Sequence, residues 1–497
     1  MTTRPLADYG SDMAKLREAL QRAEFTVDGV TALLPAMAAD ALGREQVVPA
    51  LLATGGGTPL ETLMRLFLLG ATEYRAAVET ALHPLTLNSS LAQALLEAVD
   101  GGLRARLEIR PYGDEATSWW VLSDLGTDVR AGALANDHVL GIGGASVTLA
   151  EWTVRPQVDS ALDVGTGCGV QSLHLSRHAA RVTATDRNPR ALLLASMTAQ
   201  LNELNWELLE GDLLEPVAGR RFDLIVSNPP FVVGPATRDY IYRDSGLAGD
   251  AVSEHLVRQA PGLLADGGWC QLLTNWVHVR GQDWSRRVVG WGLARSGCDV
   301  WVVQREVQDP AEYVEMWLRD SGQADGPAYR QRYAEWLAWF AAHDIEGVGF
   351  GVVTLHRSGR SSPAVEVRSL TQQVERPIGR QVLEWFARQD RLRDVDILDA
   401  RLIRAPSLRL EQTRAAGPAG WALTEQWLRM GGGLGDRVLI DDDIVGLIVA
   451  GATGDVTLRQ QLEVIAAAYE IDVAALAEAS ARVVVQYVTS GLLDINP

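Results

Sequence analysis

The chain has 497 residues, 47% of them hydrophobic and 22% charged, with 63 acidic against 45 basic side chains and a net charge of −18. That length exceeds a single hydrophobic core and implies two to four domains, and so acidic a chain does not hold nucleic acid through bulk charge. Three cysteines without paired spacing, eight scattered histidines and no apolar run near the roughly 20 residues needed to cross a bilayer argue against a disulfide framework, a metal centre and a membrane protein. Met1–Gly10 lacks the apolar core of a signal peptide, so a cytoplasmic protein is expected.

Residues 1–130 read as a helical, winged-helix-like domain. Ala14–Ala23, Val27–Leu33 and Leu60–Leu69 carry apolar residues at helical spacing, and Thr58-Pro59, after the break at Gly55-Gly56-Gly57, has the form of a helix start. Leu103–Arg110 and Ser118–Ser123 look like two strands joined through Pro111-Tyr112-Gly113-Asp114. Arg104, Arg106, Arg110 and Arg130 are candidates for a local phosphate-binding strip, with a solvated strand face as the simpler reading.

Between 131 and 370 the pattern changes to short β-rich runs alternating with helices: Ala161–Val164, Arg181–Thr185, Leu224–Val226, Cys270–Leu273, Asp299–Val303 and Val348–Leu355. This alternation predicts an α/β, Rossmann-like core with a parallel, doubly wound sheet. Residues 309–346 interrupt it with Tyr313, Trp317, Tyr329, Tyr333, Trp336, Trp339 and Phe340 at helical spacing. They predict a helical insert packed on the sheet edge, or alternatively a substrate-facing wall. Residues 371–497 form a further accessory domain, with helices expected over Leu458–Tyr469 and Val473–Leu492 and a turn or helix start at Asp441-Asp442-Asp443. Its Gly451–Leu458 stretch and closing Gly491-Leu492-Leu493 resemble the small winged-helix modules appended to some peptide-modifying enzymes.

The chemistry concentrates in the middle segment. Leu162-Asp163-Val164-Gly165-Thr166-Gly167-Cys168-Gly169 is a strand running into a glycine loop, where the backbone can approach a ligand closely. Gly165-x-Gly167-x-Gly169 lacks the dinucleotide spacing. Asp163 beside the loop suits the ammonium of an amino-acid ligand such as S-adenosylmethionine (SAM) and suits a pyrophosphate poorly. Asp186, 21 residues after Gly165, stands at the tip of the second strand, where a carboxylate can accept ribose hydroxyls. Asp212 follows the expected third strand and can accept an adenine amine. Thr166, Arg187 and Leu213 complete the candidate cofactor set.

Asp223-Leu224-Ile225-Val226-Ser227-Asn228-Pro229-Pro230-Phe231 is an apolar strand ending in Asn-Pro-Pro-Phe. An amide or exocyclic amine is a poor nucleophile because its lone pair is delocalised. The Asn228 side-chain oxygen and the Pro229 carbonyl can each accept one N–H of such a group, aligning its lone pair and stabilising developing positive charge. Pro229 and Pro230 stiffen the loop and leave carbonyls unused by secondary structure, and Phe231 offers a flat face. Asn228, Pro229, Pro230 and Phe231 are thus the candidate catalytic residues.

On these motifs residues 140–290 resemble class I methyltransferases of the Asn-Pro-Pro-Tyr/Phe group, in particular the HemK/PrmC-type protein-glutamine N5-methyltransferases and the ribosomal-RNA guanine-N2 methyltransferases. The resemblance implies a seven-stranded sheet with a reversed last hairpin. It also implies SAM contacts from Gly165, Gly167, Asp186, Asp212 and Asn228, and a target held by Asn228–Phe231. Thr148 falls where such enzymes often carry a cofactor-lid segment. Phe231 is commoner in the ribosomal-RNA group, whereas Tyr242–Asp250 resembles the glycine-rich stretch that follows the motif in glutamine enzymes. The expected partner is a macromolecule, protein rather than RNA, recruited by the accessory domains without metal or membrane. An RNA or DNA amino methyltransferase is the alternative, and a SAM-binding scaffold without chemistry the third reading.

Overall fold

The computed structural model describes residues 9–114, 117–127, 129–130, 134–235, 241, 247–320, 327–418 and 420–496. Its contacts divide the chain into two compact units, one of residues 1–150 and 156–369 and one of residues 151–155 and 370–497.

Near the N-terminus of the first unit, helix α1 (Gly10–Arg22) is followed by six short helices up to Ser90–Leu95. Thr58 caps the helix Pro59–Phe67 in a reciprocal capping box with Glu61, as the Thr-Pro start predicts. The expected hairpin is divided differently. Gly102–Ala105 joins Leu96–Val99 and Thr72–Glu73 in a three-stranded antiparallel sheet, while β1 (Leu107–Asp114) pairs with β2 (Thr117–Asp124) in a separate ribbon. Pro111 therefore lies within a strand, opposite Trp120, and not in a turn. The ribbon tolerates it because Trp120, directly opposite, turns its own N–H and carbonyl outward to Asn202, so the pair is a non-hydrogen-bonded one and the missing N–H of Pro111 faces away from β2.

Beyond the ribbon come α2 (Gly144–Trp152), β3 (Val158–Val164), α3 (Val170–Leu175), β4 (Ala179–Asp186), α4 (Pro189–Leu201), β5 (Glu207–Glu210), β6 (Phe222–Ser227), β7 (Leu264–Val279), β8 (Asp299–Gln308), β9 (Ile345–His356) and β10 (Val365–Ser369). The last eight strands form one sheet in the order β10-β8-β9-β7-β6-β3-β4-β5. β3 to β7 run parallel, and β9 is antiparallel to both β7 and β8. The resemblance implied seven strands with a reversed last hairpin; the sheet has eight, with β9 reversed and third from one edge. β10 adds to β8 in parallel, Val300 opposite Val365, and covers an edge that would otherwise be open. Glu366 and Arg368 within its five residues hid it from an apolar-run reading. Leu162, Val164, Ile225, Cys270, Leu272, Val300, Val302 and Val353 are buried together in the sheet's core, which is why these strands read as apolar runs and not as alternating ones.

The ribbon is tied to the sheet through α4. The β2 backbone N–H groups of Trp120 and Leu122 donate to Asn202 Oδ1 (3.0 Å) and Thr198 Oγ1 (3.1 Å), and Asn202 Nδ2 returns a bond to the Trp120 carbonyl (2.7 Å). Side chains of α4 and its C-cap thus satisfy a strand edge that has no strand partner. Arg17 of α1 pairs with Glu203 beyond α4 at 2.9 Å. By contacts, residues on both sides of 130/131 fall in one unit, and the division that follows comes after Ser369.

In the second unit, helices occupy Gly379–Asp394, Asp443–Gly451, Leu458–Tyr469 and Val473–Thr489. Asp442 caps the second of these, so the acidic run is a helix start, and Thr457 caps the third in a box with Gln460. Thr453–Thr457, Arg401–Arg404 and Leu493–Ile495 form one three-stranded sheet, and Leu408–Gly417, Gly420–Met430 and Arg437–Leu439 another. Leu402, Leu458, Leu462, Val484, Val488 and Leu493 make the core of this unit. No single helix among the described residues is long and apolar enough to cross a membrane.

Candidate active site

A cavity of about 310 Å³ opens at the carboxyl ends of β3, β4, β5 and β6. This is where an open α/β sheet binds ligands, because the loops leaving successive strands diverge there.

After Val164 the backbone N–H groups of Gly165 and Thr166 both donate to the Thr185 carbonyl at 2.9 Å, turning the chain across the end of β4. Gly165 and Gly167 have φ of +72° and +56°, which glycine adopts without penalty. Gly165, Thr166 and Gly167 line the cavity, and a Cβ placed on Gly167 would meet no atom within 4 Å. Two expected loop residues lie elsewhere. Gly169 is absent from the cavity wall, and a Cβ there would stand 2.6 Å from the Trp206 ring, so this glycine makes room for an indole and not for a ligand. Asp163 is buried beneath α3, where one carboxylate oxygen accepts the Thr166 and Ser172 hydroxyls at 2.7 Å each. Burial pushes its pKa up to about 6, and its other oxygen has no partner among the described residues. The carboxylate holds the loop's hydroxyls and does not face the cavity.

Asp186 lies at the end of β4, as expected. Its two oxygens accept the backbone N–H groups of Gly167 and Asn188, both at 2.9 Å, so the acid fixes the glycine loop from the neighbouring strand. Burial raises its pKa despite those bonds. Arg187, Asp212 and Leu213 share the cavity wall. Leu213 stands at φ +46°, and its carbonyl accepts the Thr185 hydroxyl at 3.2 Å.

β6 ends at Ser227, whose hydroxyl donates to the Val164 carbonyl (2.8 Å) and locks the ends of β6 and β3 together. Asn228 follows on the wall. Its Nδ2 donates to Ser146 Oγ at 3.4 Å, and its Oδ1 is left as an acceptor without a partner among the described residues. Pro230 lines the cavity, while Pro229 is buried behind it. The Pro229 carbonyl already accepts the Phe231 N–H at 2.7 Å, so of the two lone pairs expected to be free, one remains. Phe231 is also not the open platform expected: it is buried, with its ring edge-on to Trp317 at 6.4 Å between centroids.

That contact assigns the aromatic insert its place. Residues 309–346 form two helices, Pro310–Asp320 and Pro327–Ala342. Tyr313, Trp336 and Phe340 are buried in one apolar cluster with Val232 and Val233. The Tyr313 hydroxyl accepts the Val233 N–H at 2.8 Å, and the Trp336 ring lies 3.1 Å from where a Gly234 Cβ would be. The insert therefore packs behind the Asn-Pro-Pro-Phe loop and fixes the chain leaving it. Of the glycine-rich stretch Tyr242–Asp250, residues 242–246 lie outside the described residues; Asp250 is held by Arg287 at 2.6 Å.

Several wall residues carry no sequence motif. Asp124, at the end of β2, accepts the Val139 N–H at 2.9 Å and is gripped by Arg190 of α4, whose Nε reaches it at 3.0 Å. Glu108 of β1 accepts Arg110 Nε at 2.7 Å and the Ser123 hydroxyl at 2.9 Å. A Cβ on Gly141 would stand 2.8 Å from that hydroxyl and 2.9 Å from the Glu108 carboxylate, so the 138–146 stretch presses against the ribbon. Of α2, Ala145 and Ser146 line the wall and Thr148, which falls where a cofactor-lid segment was expected, does not; the Ser146 carbonyl accepts Gln171 Nε2 at 2.7 Å. The arginines do not form a strip. Arg104 and Arg130 converge on Glu97, at 2.6 and 3.3 Å, and Arg110 pairs with Glu108. Among the described residues no group of three or more His, Cys, Asp or Glu side chains is placed to hold a metal ion.

A family model described as the methyltransferase small domain matches residues 142–278, and two models described as domains of unknown function match residues 22–106 and 383–494. A Methanocaldococcus jannaschii protein provisionally named a protein N5-glutamine methyltransferase is 32% identical over 136 residues, 26% of this chain and 68% of that protein. The chain belongs to this methyltransferase family. The release factor glutamine methyltransferase of Geobacter sulfurreducens is 35% identical over 126 residues, 23% of this chain and 44% of that enzyme. The ribosomal RNA small subunit methyltransferase C of Erwinia tasmaniensis is 32% identical over 192 residues, 37% of this chain and 52% of that enzyme. The chain spans about half the length of these two relatives.

The cofactor of the methyltransferase family is SAM, and the cavity fits it. The open side of Gly167 admits close backbone approach, the carboxylates of Asp186 and Asp212 offer acceptors for hydroxyl and amine groups, and Asn228 Oδ1, without a partner among the described residues, lies on the same wall.

Proposed function

We propose that this chain transfers the methyl group of SAM to a planar nitrogen, the side-chain amide of a glutamine in a protein. The observation that carries the reading is the orientation of Asn228. With Nδ2 directed to Ser146, its Oδ1 serves as an acceptor for an incoming N–H. The cofactor supplies an electrophilic methyl group. Asn228 Oδ1 and the second lone pair of the Pro229 carbonyl accept the two amide N–H groups, which turns the nitrogen lone pair toward the methyl and offsets the positive charge developing on nitrogen. The proton leaves to solvent after transfer, so no strong base is required. Asp186 accepts the ribose hydroxyls while keeping its hold on Gly167, and Asp212 accepts the adenine amine. Residues 371–497 recruit the macromolecular substrate in this reading. The names of the Geobacter and Methanocaldococcus relatives support a glutamine target.

A second reading, methylation of an exocyclic amine of RNA, is favoured by Phe231 and by the longer alignment with the ribosomal RNA enzyme. Incubating the protein with radiolabelled SAM and an extract from cells lacking it, then dividing the sample between protease and nuclease, separates the two. Label lost to protease and resistant to nuclease supports the glutamine reading. Label lost to nuclease alone replaces it with the RNA reading, and no label in either fraction, with SAM bound, overturns both.

Asp186→Ala is expected to weaken SAM binding by about ten- to a hundredfold, the cost of losing charge-assisted hydrogen bonds. Isothermal titration checks this, and an unchanged affinity would remove Asp186 from the cofactor site.

A further inference from the structure

A cofactor with an amino-acid head brings both an ammonium and a carboxylate into its site. Asp163 is not available to that head, since it is buried beneath α3 and bonded to Thr166 and Ser172. The cavity wall carries two arginines, Arg110 and Arg187. Arg187 follows Asp186 at the tip of β4, the end assigned to the ribose. Arg110 lies on β1, and its partner Glu108 locates it. Glu108 Oε2 is 2.9 Å from the Cβ position of Gly141, and Tyr112, two residues along β1 from Arg110, is hydrogen-bonded through its hydroxyl to His174 Nε2 of α3, the helix that leaves the glycine loop, at 2.7 Å. The Glu108–Arg110 pair therefore stands beside the loop that receives the methionine portion of SAM.

Arg110 is only partly engaged. Its Nε and Nη2 both go to one oxygen of Glu108, at 2.7 and 2.5 Å, and no described residue takes Nη1. Glu108 is itself fixed by the Ser123 hydroxyl, so the guanidinium is held from behind with part of its fork unused. A planar fork with a free edge is the donor that best matches a carboxylate. We infer that Arg110 binds the α-carboxylate of the methionine head of SAM, with Glu108 as its positioning residue. This rests on the SAM reading above and extends it. The residue lies outside the matched methyltransferase domain of residues 142–278, so the β1–β2 ribbon completes the cofactor site and is more than a substrate-recruiting appendage.

The test is titration of the full chain with SAM and with decarboxylated SAM, which keeps the ammonium, sulfonium and adenosine but lacks the carboxylate. Wild-type protein is expected to prefer SAM. Arg110→Gln should weaken SAM by about tenfold or more and change decarboxylated SAM by less than about twofold, with Arg110→Lys between. Equal weakening of both ligands, or of neither, overturns the inference and leaves Arg110 as a counter-ion for Glu108. Wild-type protein that binds neither ligand overturns the SAM reading itself, and with it this one. If Arg110→Gln strands the Glu108 carboxylate and does not fold, the double variant Glu108→Gln/Arg110→Gln removes the unpaired charge and carries the same comparison.

Discussion

Asn228→Ala should lower the rate of methyl transfer by about 10²–10³-fold while leaving SAM affinity within about threefold of wild type. The asymmetry follows from what the side chain does. Its Nδ2 is committed to Ser146 and its Oδ1 has no partner among the described residues, so truncation removes an acceptor that a bound target nitrogen needs more as it becomes positive. The Pro229 carbonyl cannot compensate, because Phe231 N–H already holds one of its lone pairs. The cofactor cavity survives truncation, since its glycine loop is fixed by Thr185 and Asp186 and not by Asn228. Transfer of label into extract measures the first quantity, and titration with SAM the second. A parallel loss of both would make Asn228 a cofactor ligand and leave the target amide without its proposed acceptor.

Gly169→Ala is expected to destabilise the protein by about 2–4 kcal/mol, from a strained backbone and an overpacked contact together. Gly169 stands at φ +93°, and the new Cβ would lie 2.6 and 2.9 Å from two atoms of the Trp206 ring. The ring cannot easily withdraw, because its Nε1 donates to Ser176 Oγ at 2.8 Å. Gly167→Ala makes the contrast. Its Cβ meets nothing within 4 Å, so only the backbone term of about 1–2 kcal/mol remains, but the methyl group stands in the cavity and should weaken SAM binding. Urea unfolding of the two variants separates packing from ligand approach. If Gly169→Ala were the milder of the two in unfolding, the Trp206 contact would not be what demands glycine there.

The two glycines look alike in the sequence and differ in the fold. Gly165, Gly167 and Gly169 share one spacing, and nothing local marks the third as serving an indole that arrives with Trp206, 37 residues later. Asp163 misleads in the same way. An acid before a glycine loop suggests a ligand contact, yet whether a strand-end side chain faces the cavity or the helix beneath it is set by how α3 packs back on β3. Phe231 reads as an exposed ring from the motif, and becomes buried because the 309–346 insert returns over it through Trp317.

What the amino-acid order determined by itself was the layered α/β core and the strand ends that line its cavity. Buried parallel strands must be continuous apolar runs, and the residues that end them must turn the chain, so Gly165, Asp186, Asp212 and Asn228 stand out from local pattern alone. Only the tertiary structure decided the remainder of the wall. Glu108, Arg110, Asp124 and Ser146 belong to the site because β1, β2 and α2 are brought against the sheet by long-range bonds, such as those from the β2 backbone to Asn202 and Thr198. Such contacts join residues about 80 positions apart and leave no periodic trace. A charge that reads as a surface residue along the chain becomes part of a cavity once the fold closes one side of it to water.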